Sequence, residues 1–328
     1  MELELTDKKI LNILQTDFPI SVRPFLSIAN LTGISEEEVL NRILNLKNNK
    51  IIRQISAIFD SHNIGYKSTL AAFKVDSGLV DSAAEVINSH SGVSHNYLRN
   101  NEYNIWFTIT MPSEYSLENE IKLLSDRSGA TDYLILPTLK LFKIGVNFDM
   151  TGEESSSFKF FSHDDFKSDS EIKITDFEKS CIRELQKDLE ITPEPFKNLS
   201  VNLGISQEKL LETIKIFLND KKMRRFACVL YHQKAGFSYN IMGIWKSKPE
   251  ETEIHGKIMS SIKEVSHCYQ RPVYPGRWEY NIFTMIHSKS KEDAHKVMER
   301  ISSLTGIKDY DSLESIKEFK KVRVRYYV

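Results

Sequence analysis

Residues 93–108 read VSHNYLRNNEYNIWFT, and residues 265–287 read VSHCYQRPVYPGRWEYNIFTMIH. Both open on V-S-H-x-Y-x-R and carry E-Y-N-I further on, so the chain writes one strand-loop-strand twice, with a longer loop the second time. The repetition extends outward. LTDKKILNILQTDFPISVRPF begins at Leu5, and ITDFEKSCIRELQKDLEITPEPF begins at Ile174. LTGISEEEVLNRI then matches NLGISQEKLLETI, which sets Gly33 opposite Gly204, and Gly65-Tyr66 matches Gly236-Phe237. A shared order over about 150 residues identifies a tandem duplication.

Within each copy the hydrophobic period changes midway. Residues 6–16 and 23–47 carry apolar side chains at helical spacing, and Ser35 with Glu38 forms a capping box that opens the third helix. This predicts a helix-turn-helix. IIRQISAIF at 51–59 alternates as a strand and reads as a wing. From Gly65 the pattern is strand, helix, two strands, helix and a last strand, DYLILPTLKLFKIGV, which is the βαββαβ order of a ferredoxin-like domain. The expected fold class is α+β, a tandem repeat of winged helix-turn-helix plus ferredoxin-like domain that forms an intramolecular pseudo-dimer. The expected limits are 1–60 and 61–150 for the first copy, a Ser-rich acidic linker at 151–173, then 174–232 and 233–328 for the second.

Composition narrows the function class. Of 328 residues, 41% are hydrophobic, enough for several cores. Lys and Arg total 44 against 45 Asp and Glu, so no global charge draws the chain to nucleic acid or membrane. Cys181, Cys228 and Cys268 are widely spaced without a C-x-x-C pair, which fits reduced thiols rather than disulfides or zinc. MELELTDKK has no apolar signal core and no run approaches the roughly 18 apolar residues of a membrane span, so the cytoplasm is the expected location.

A winged helix followed by a ferredoxin-like domain resembles the Lrp/AsnC family of transcription regulators, which implies DNA binding, with tetrapyrrole sensing as one version. A recognition helix needs donors or cations in its first turn. Here the first copy offers Glu36, Glu37 and Glu38, and the second Gln207, Glu208 and Lys209. Three carboxylates repel a duplex. This argues against DNA as a partner and for helix-turn-helix units kept as scaffolds.

On a strand, positions i, i+2 and i+4 share a face. His95, Tyr97 and Arg99 therefore form one row and His267, Tyr269 and Arg271 another, with Val93 and Val265 expected on the opposite face against the helices. A row of this chemistry between paired sheets suits a large, anionic, aromatic ligand.

With these motifs the chain resembles the siroheme decarboxylases, whose two related subunits pair or are fused. The resemblance implies loss of two acetate carboxylates as carbon dioxide, converting siroheme to 12,18-didecarboxysiroheme in haem or haem d1 biosynthesis. It implies siroheme as the partner molecule, the two halves paired with each other, a homodimer as an allowed assembly, no membrane, and no required cofactor or metal of the protein's own, because the substrate brings its iron. His267 and His95 become candidate proton donors, with Tyr269 and Tyr97 beside them. Arg53, Arg224, Arg225, Arg99, Arg271 and Arg277 become candidate forks for the carboxylate rim, with Trp278, His232 and His287 also facing substrate. His232, His267 and His287 are candidates for an axial contact to the substrate iron. Plainer readings stand beside these: sheet packing for Tyr97 and Tyr269, a core cap for Trp278, a solvated wing for Arg224 and Arg225, and a small apolar filler for Cys268. His62, His90, His163, His255 and His295 read as surface residues. Because His232, His287, Arg224 with Arg225, Arg277 and Trp278 accumulate in copy two, one productive pocket built mainly by that copy is expected.

Overall fold

The structure is a computed structural model that describes residues 3–144, 173–231 and 239–328. The 151–173 linker, apart from its last residue, and His232 and His163 lie outside the described residues.

The first copy runs α1 (Leu5–Thr16), α2 (Pro24–Thr32), α3 (Glu36–Asn48), β1 (Ile52–Phe59), β2 (Tyr66–Lys74), α4 (Val80–Ser89), β3 (Val93–Arg99), β4 (Ile105–Pro112), α5 (Leu117–Ser128), β5 (Asp132–Leu136) and β6 (Lys140–Ile144). The second repeats it with α6 (Asp176–Leu185), α7 (Phe196–Asn202), α8 (Gln207–Asn219), β7 (Met223–Leu230), β8 (Tyr239–Trp245), α9 (Thr252–Ser261), β9 (Val265–Gln270), β10 (Ile282–Ser288), α10 (Lys291–Thr305) and β11 (Tyr310–Lys321). The predicted cap at Ser35 is present, its Oγ accepting from Glu38 N at 3.1 Å, but the Glu38 carboxylate turns to Arg42 instead of closing the capping box; Ser206 Oγ likewise accepts from Lys209 N at 3.2 Å. Gly33 at φ 75° and Gly204 at φ 66° make the left-handed turns that end the second helix of each unit.

The strand expected as a wing finds its partner in the other copy. β1 pairs antiparallel with β7, from Ile52 opposite Leu230 to Phe59 opposite Met223, as an isolated two-stranded ribbon. Among the described residues neither copy contributes a second strand of its own to this ribbon, so the ladder N–H and C=O groups are satisfied across the duplication. The two helix-turn-helix units accordingly share one core, in which Phe18 of the first copy packs on Phe196 and Phe226 of the second.

The predicted single last strand of copy one is broken at Pro137, and its two parts serve different copies. β5 pairs with β2 of its own copy, whereas β6 pairs with β9 of the other. In copy two the corresponding strand stays continuous, with Tyr310–Glu314 on β8 and Ser315–Lys321 on β3. The result is a nine-stranded order, β5-β2-β4-β3-β11-β8-β10-β9-β6. Its outer strands are joined by only Pro137, Thr138 and Leu139, a crossing of at most about 14 Å. The sheet therefore returns on itself, with helices on its outer face and a second core inside, formed by Ala72, Trp106, Leu134, Leu136, Met242, Ile244, Trp278, Phe283 and Leu313.

Strict alternation would have placed Val93 beside His95, against the expectation stated above. A register shift between Val93 and His95, repeated between Val265 and His267, adds one residue at Ser94 and at Ser266 and reverses the phase. Val93 and Val265 thereby reach the helix-side cores while both His rows face inward.

Two histidine readings change. His255 is buried, with Nδ1 2.7 Å from Ser247 Oγ, because the helix that carries it packs on the sheet. His90 is half-buried, 3.4 Å from Glu120.

Candidate functional site

The two rows are near-copies of one ladder. His95 and Tyr97 stack at 6.3 Å with 25° between planes, and His267 and Tyr269 at 6.0 Å and 28°. Below them Arg99 lies 5.4 Å from the Tyr97 ring and Arg271 lies 4.9 Å from the Tyr269 ring.

The arginines of the rows also bind across the duplication, while the Nε of each is buried without a hydrogen-bond partner among the described residues. Arg99 Nη1 donates to Leu313 O at 2.7 Å, and Arg271 Nη1 donates to Leu136 O. Each therefore reaches the last strand of the opposite copy, just ahead of the point where that strand passes to the other copy's sheet. Burial first, partly offset by the neighbouring tyrosine, pulls both guanidinium pKa values down to about 10. Arg277 and Trp278 lie beyond this end of β9. Arg277 ion-pairs with Asp132 at 2.7 Å over the Tyr274 ring, and Trp278 is buried in the inner core against Trp106 and Phe283.

Four residues along a strand separate His267 from Arg271, about 13 Å, and the other end is where cations converge. The charges that act on His267 come from His287, Arg224, Arg225 and Lys143, and those on His95 from Lys321, Arg53 and Glu318. The β1–β7 ribbon delivers Arg53 toward one His and Arg224 with Arg225 toward the other. Between them the segment after β11 crosses the ribbon, held by Val322 N on Ser94 O at 2.8 Å. It places Arg323 on Ser56 Oγ and on Ala57 O at 3.2 Å, in the fields of Arg53 and Arg225. Tyr326 and Tyr327 then tie the strap to Gln186, Tyr66 and Ile64.

Counter-charges are few. Arg224 is bound by buried Asp60 at 2.8 and 3.0 Å. Arg53 has the Lys321 carbonyl at 3.3 Å. Among the described residues, no carboxylate pairs with Arg53, Arg225 or Arg323. Holding three such guanidinium groups together without a paired carboxylate, with Asp188 acting on Arg323 only through its field, is costly, and an anionic ligand that accepts their hydrogen bonds lowers the cost.

Burial, then the surrounding cations, pushes His267 down to about 3 and His95 down to about 4. Both imidazoles are neutral at pH 7. Burial raises the phenols of Tyr97 and Tyr269, so both stay protonated, with Tyr97 donating to Glu318 at 3.3 Å. Cys268 is buried on the helix side, where burial raises its thiol, in keeping with a filler.

The copies diverge at one point. Ser94 Oγ is 3.0 Å from His95 Nδ1, and Ser266 Oγ is 2.8 Å from His267 Nδ1. In copy two a second imidazole continues the contact, with His287 Nε2 2.7 Å from Ser266 Oγ and His287 Nδ1 on Asn240 Oδ1. The matching pair in copy one is Thr110 on Ser68 at 3.0 Å. Sequence reasoning missed Ser94, Ser266, Asn240 and Arg323. The serine stood inside the repeated V-S-H motif; Arg323 had only the alternating KVRVRYY at the end of the chain as a signal.

Glu36 and Glu38, at the start of the third helix of copy one, are drawn into ion pairs. Glu36 is paired with Arg23, and Arg42, the cation nearest the helix start on α3, is held by Glu4, Asp7 and Glu38 at 2.9–3.0 Å.

Comparison with known proteins agrees with this geometry. Residues 7–53 and 178–224 match the siroheme decarboxylase NirDL-like HTH domain, and residues 63–143 and 234–320 match the AsnC-like ligand binding domain. A siroheme decarboxylase from Hydrogenobacter thermophilus is 38% identical over 323 residues, 97% of this chain and 94% of its own length. A siroheme decarboxylase beta subunit from Methanosarcina barkeri is 44% identical over 141 residues, 92% of its length but 43% of this chain, as a fused pair requires. A crystal structure of the siroheme decarboxylase NirDL in co-complex with an iron-uroporphyrin III analogue superposes with a TM-score of 0.77 at 32% identity, over 98% of this chain and 95% of that one. The chain belongs to the siroheme decarboxylase family, with both subunit equivalents in one polypeptide.

Proposed function

We propose that this protein decarboxylates siroheme, removing two acetate carboxylates to leave methyl groups, where the His rows meet the cations of the β1–β7 ribbon. The observation that carries the reading is the group Arg53, Arg225 and Arg323, without carboxylate partners among the described residues, in which Arg323 lies in the fields of the other two, Arg53 acts on neutral His95 and Arg225 acts on neutral His267. Siroheme matches it as a flat apolar ring with a carboxylate rim, which forks can hold in a fixed orientation.

In each decarboxylation the C–C bond to the carboxylate breaks, carbon dioxide leaves, and the electron pair stays on the methylene carbon, delocalised into the macrocycle. One proton then adds to that carbon. The substrate ring acts as the electron sink, so we infer that no separate cofactor is required. The cationic strip holds the remaining carboxylates. Removing water from the scissile group favours neutral carbon dioxide over the charged carboxylate. His267 supplies the proton from the inner face, and Tyr269, kept as a phenol, packs alongside. We place the protein in the cytoplasm on its three free, buried thiols, and take the single chain as the functional unit.

The test is anaerobic incubation of the purified protein with siroheme, followed by mass measurement of the pigment. Loss of two carbon dioxide units supports the reading. Pigment that binds and is recovered unchanged contradicts catalysis, and absence of binding contradicts the site.

A further inference from the structure

We propose that His287, Ser266 and His267 form a proton relay, oriented by Asn240, that only the second copy possesses and that reprotonates the substrate carbon; this rests on the decarboxylase reading. The contacts are continuous: Asn240 Oδ1 to His287 Nδ1, His287 Nε2 to Ser266 Oγ at 2.7 Å, and Ser266 Oγ to His267 Nδ1 at 2.8 Å.

Ser266 Oγ also lies 3.3 Å from Met285 O, longer than its contacts to the two imidazoles, and with the hydroxyl proton directed at an imidazole the hydrogen-bond chemistry admits two proton arrangements of this chain. Asn240 Oδ1 can only accept, so His287 Nδ1 carries a proton in both. In the first, His287 is an imidazolium. Its Nε2–H donates to Ser266 Oγ, the hydroxyl donates to His267 Nδ1, and His267 bears its proton on Nε2. In the second, His287 is neutral. The Ser266 hydroxyl donates back to His287 Nε2, His267 Nδ1–H donates to Ser266 Oγ, and His267 Nε2 is bare.

The two differ by one proton delivered from His267 Nε2. As Nε2–H bonds to the substrate carbon, the serine proton moves to Nδ1 and the His287 proton moves to the serine. Every hydrogen bond is kept, His267 is neutral before and after, and the charge is lost at His287. A neutral His267 suits a buried ring beside Arg224 and Arg225. Solvent reprotonates His287 between the two decarboxylations. In copy one Thr110 and Ser68 occupy the places of His287 and Asn240, so Ser94 and His95 have no second imidazole behind them. Ser266 and His287 are thus positioning and relay residues, and copy one's ladder binds without an equivalent supply.

The experiment compares Ser266→Ala, Ser266→Thr, His287→Thr and Ser94→Ala by steady-state kinetics on siroheme. Ser266→Ala and His287→Thr should each lower kcat by roughly 10- to 100-fold with KM within about twofold, and the double variant should be no slower than either alone. Ser266→Thr, which keeps a hydroxyl, should recover most of the rate, and Ser94→Ala should cost less than about threefold. Full turnover in Ser266→Ala, additive losses in the double variant, or equal losses in Ser94→Ala would overturn the relay. Nitrogen-15 shifts of His267 in the ligand-free protein give a readout independent of activity. At a pH that leaves His287 neutral, a proton on Nδ1 that Ser266→Ala abolishes supports the relay even if the wild type proves inactive on siroheme. A proton on Nε2 under that condition overturns it.

Discussion

Arg99 Nη1 donates 2.7 Å to Leu313 O, and Arg271 Nη1 makes the mirror contact to Leu136 O, so each copy grips the other's last strand just ahead of the point where that strand crosses between copies. A hydrogen bond from a buried charge to a carbonyl contributes about 1.5–3 kcal/mol. Arg99→Met should therefore lower unfolding stability by about 2 kcal/mol, read as a fall in urea midpoint, while the siroheme affinity of the folded fraction changes little. A large loss of affinity with unchanged stability would return Arg99 to the substrate rim.

Arg225 lies beside Arg224 without a carboxylate partner among the described residues, and burial pulls its pKa below the usual arginine range. Removing it should raise the melting temperature of the ligand-free protein by a few degrees and weaken siroheme binding roughly tenfold, about 1.4 kcal/mol. Arg323→Ala should weaken binding similarly. Thermal melts and pigment titration measure the two effects separately.

The buried histidines give the stability a pH dependence of definite sign. His267 is held near 3 and His95 near 4, by burial and then by neighbouring cations, against about 6.5 in an unfolded chain. Between those values the unfolded state binds more protons, so stability is fully present above about pH 6.5 and is lost as pH falls. From pH 7 to 4 the wild type should lose roughly 1–3 kcal/mol more than His267→Gln, allowing for partial solvent access. Parallel denaturation curves for the two proteins across this range would contradict the assignment.

The strap after β11 brings Arg323, Tyr326 and Tyr327 onto both helix-turn-helix units. A chain ending at Lys321 loses these ties. It should remain folded, with a lower melting temperature, and should bind siroheme at least tenfold more weakly. Equal binding would remove the strap from the pocket.

Much of this architecture was legible because it is written in local signals. Helical spacing, the cap at Ser35 and the repeated V-S-H-x-Y-x-R are all short-range patterns, and the duplication made the repeated ones count twice. What escaped depends on partners far away in sequence. LPTLKLFKI carries strand propensity throughout, and only Pro137, which lacks an N–H, hints that the strand changes copies there. The β1–β7 pairing and the strand exchange follow from which edge is left unpaired, a property of two copies together. Arg99 and Arg271 read as rim forks because spacing assigns a face; spacing does not show the carbonyl acceptors that β11 and β5 bring to them. His287 was noticed as present in one copy alone, but its link to His267 through Ser266 required the bulge that turns the serine toward both rings.

The most direct measurement counts carbon dioxide released per siroheme, with substrate labelled in the acetate carboxylates, for the wild type and His267→Gln. The wild type should release two per siroheme. His267→Gln should bind the pigment with similar affinity and release carbon dioxide roughly 100-fold more slowly, the scale of a lost general acid. Unchanged siroheme recovered from the wild type, or full-rate release by His267→Gln, would contradict the account.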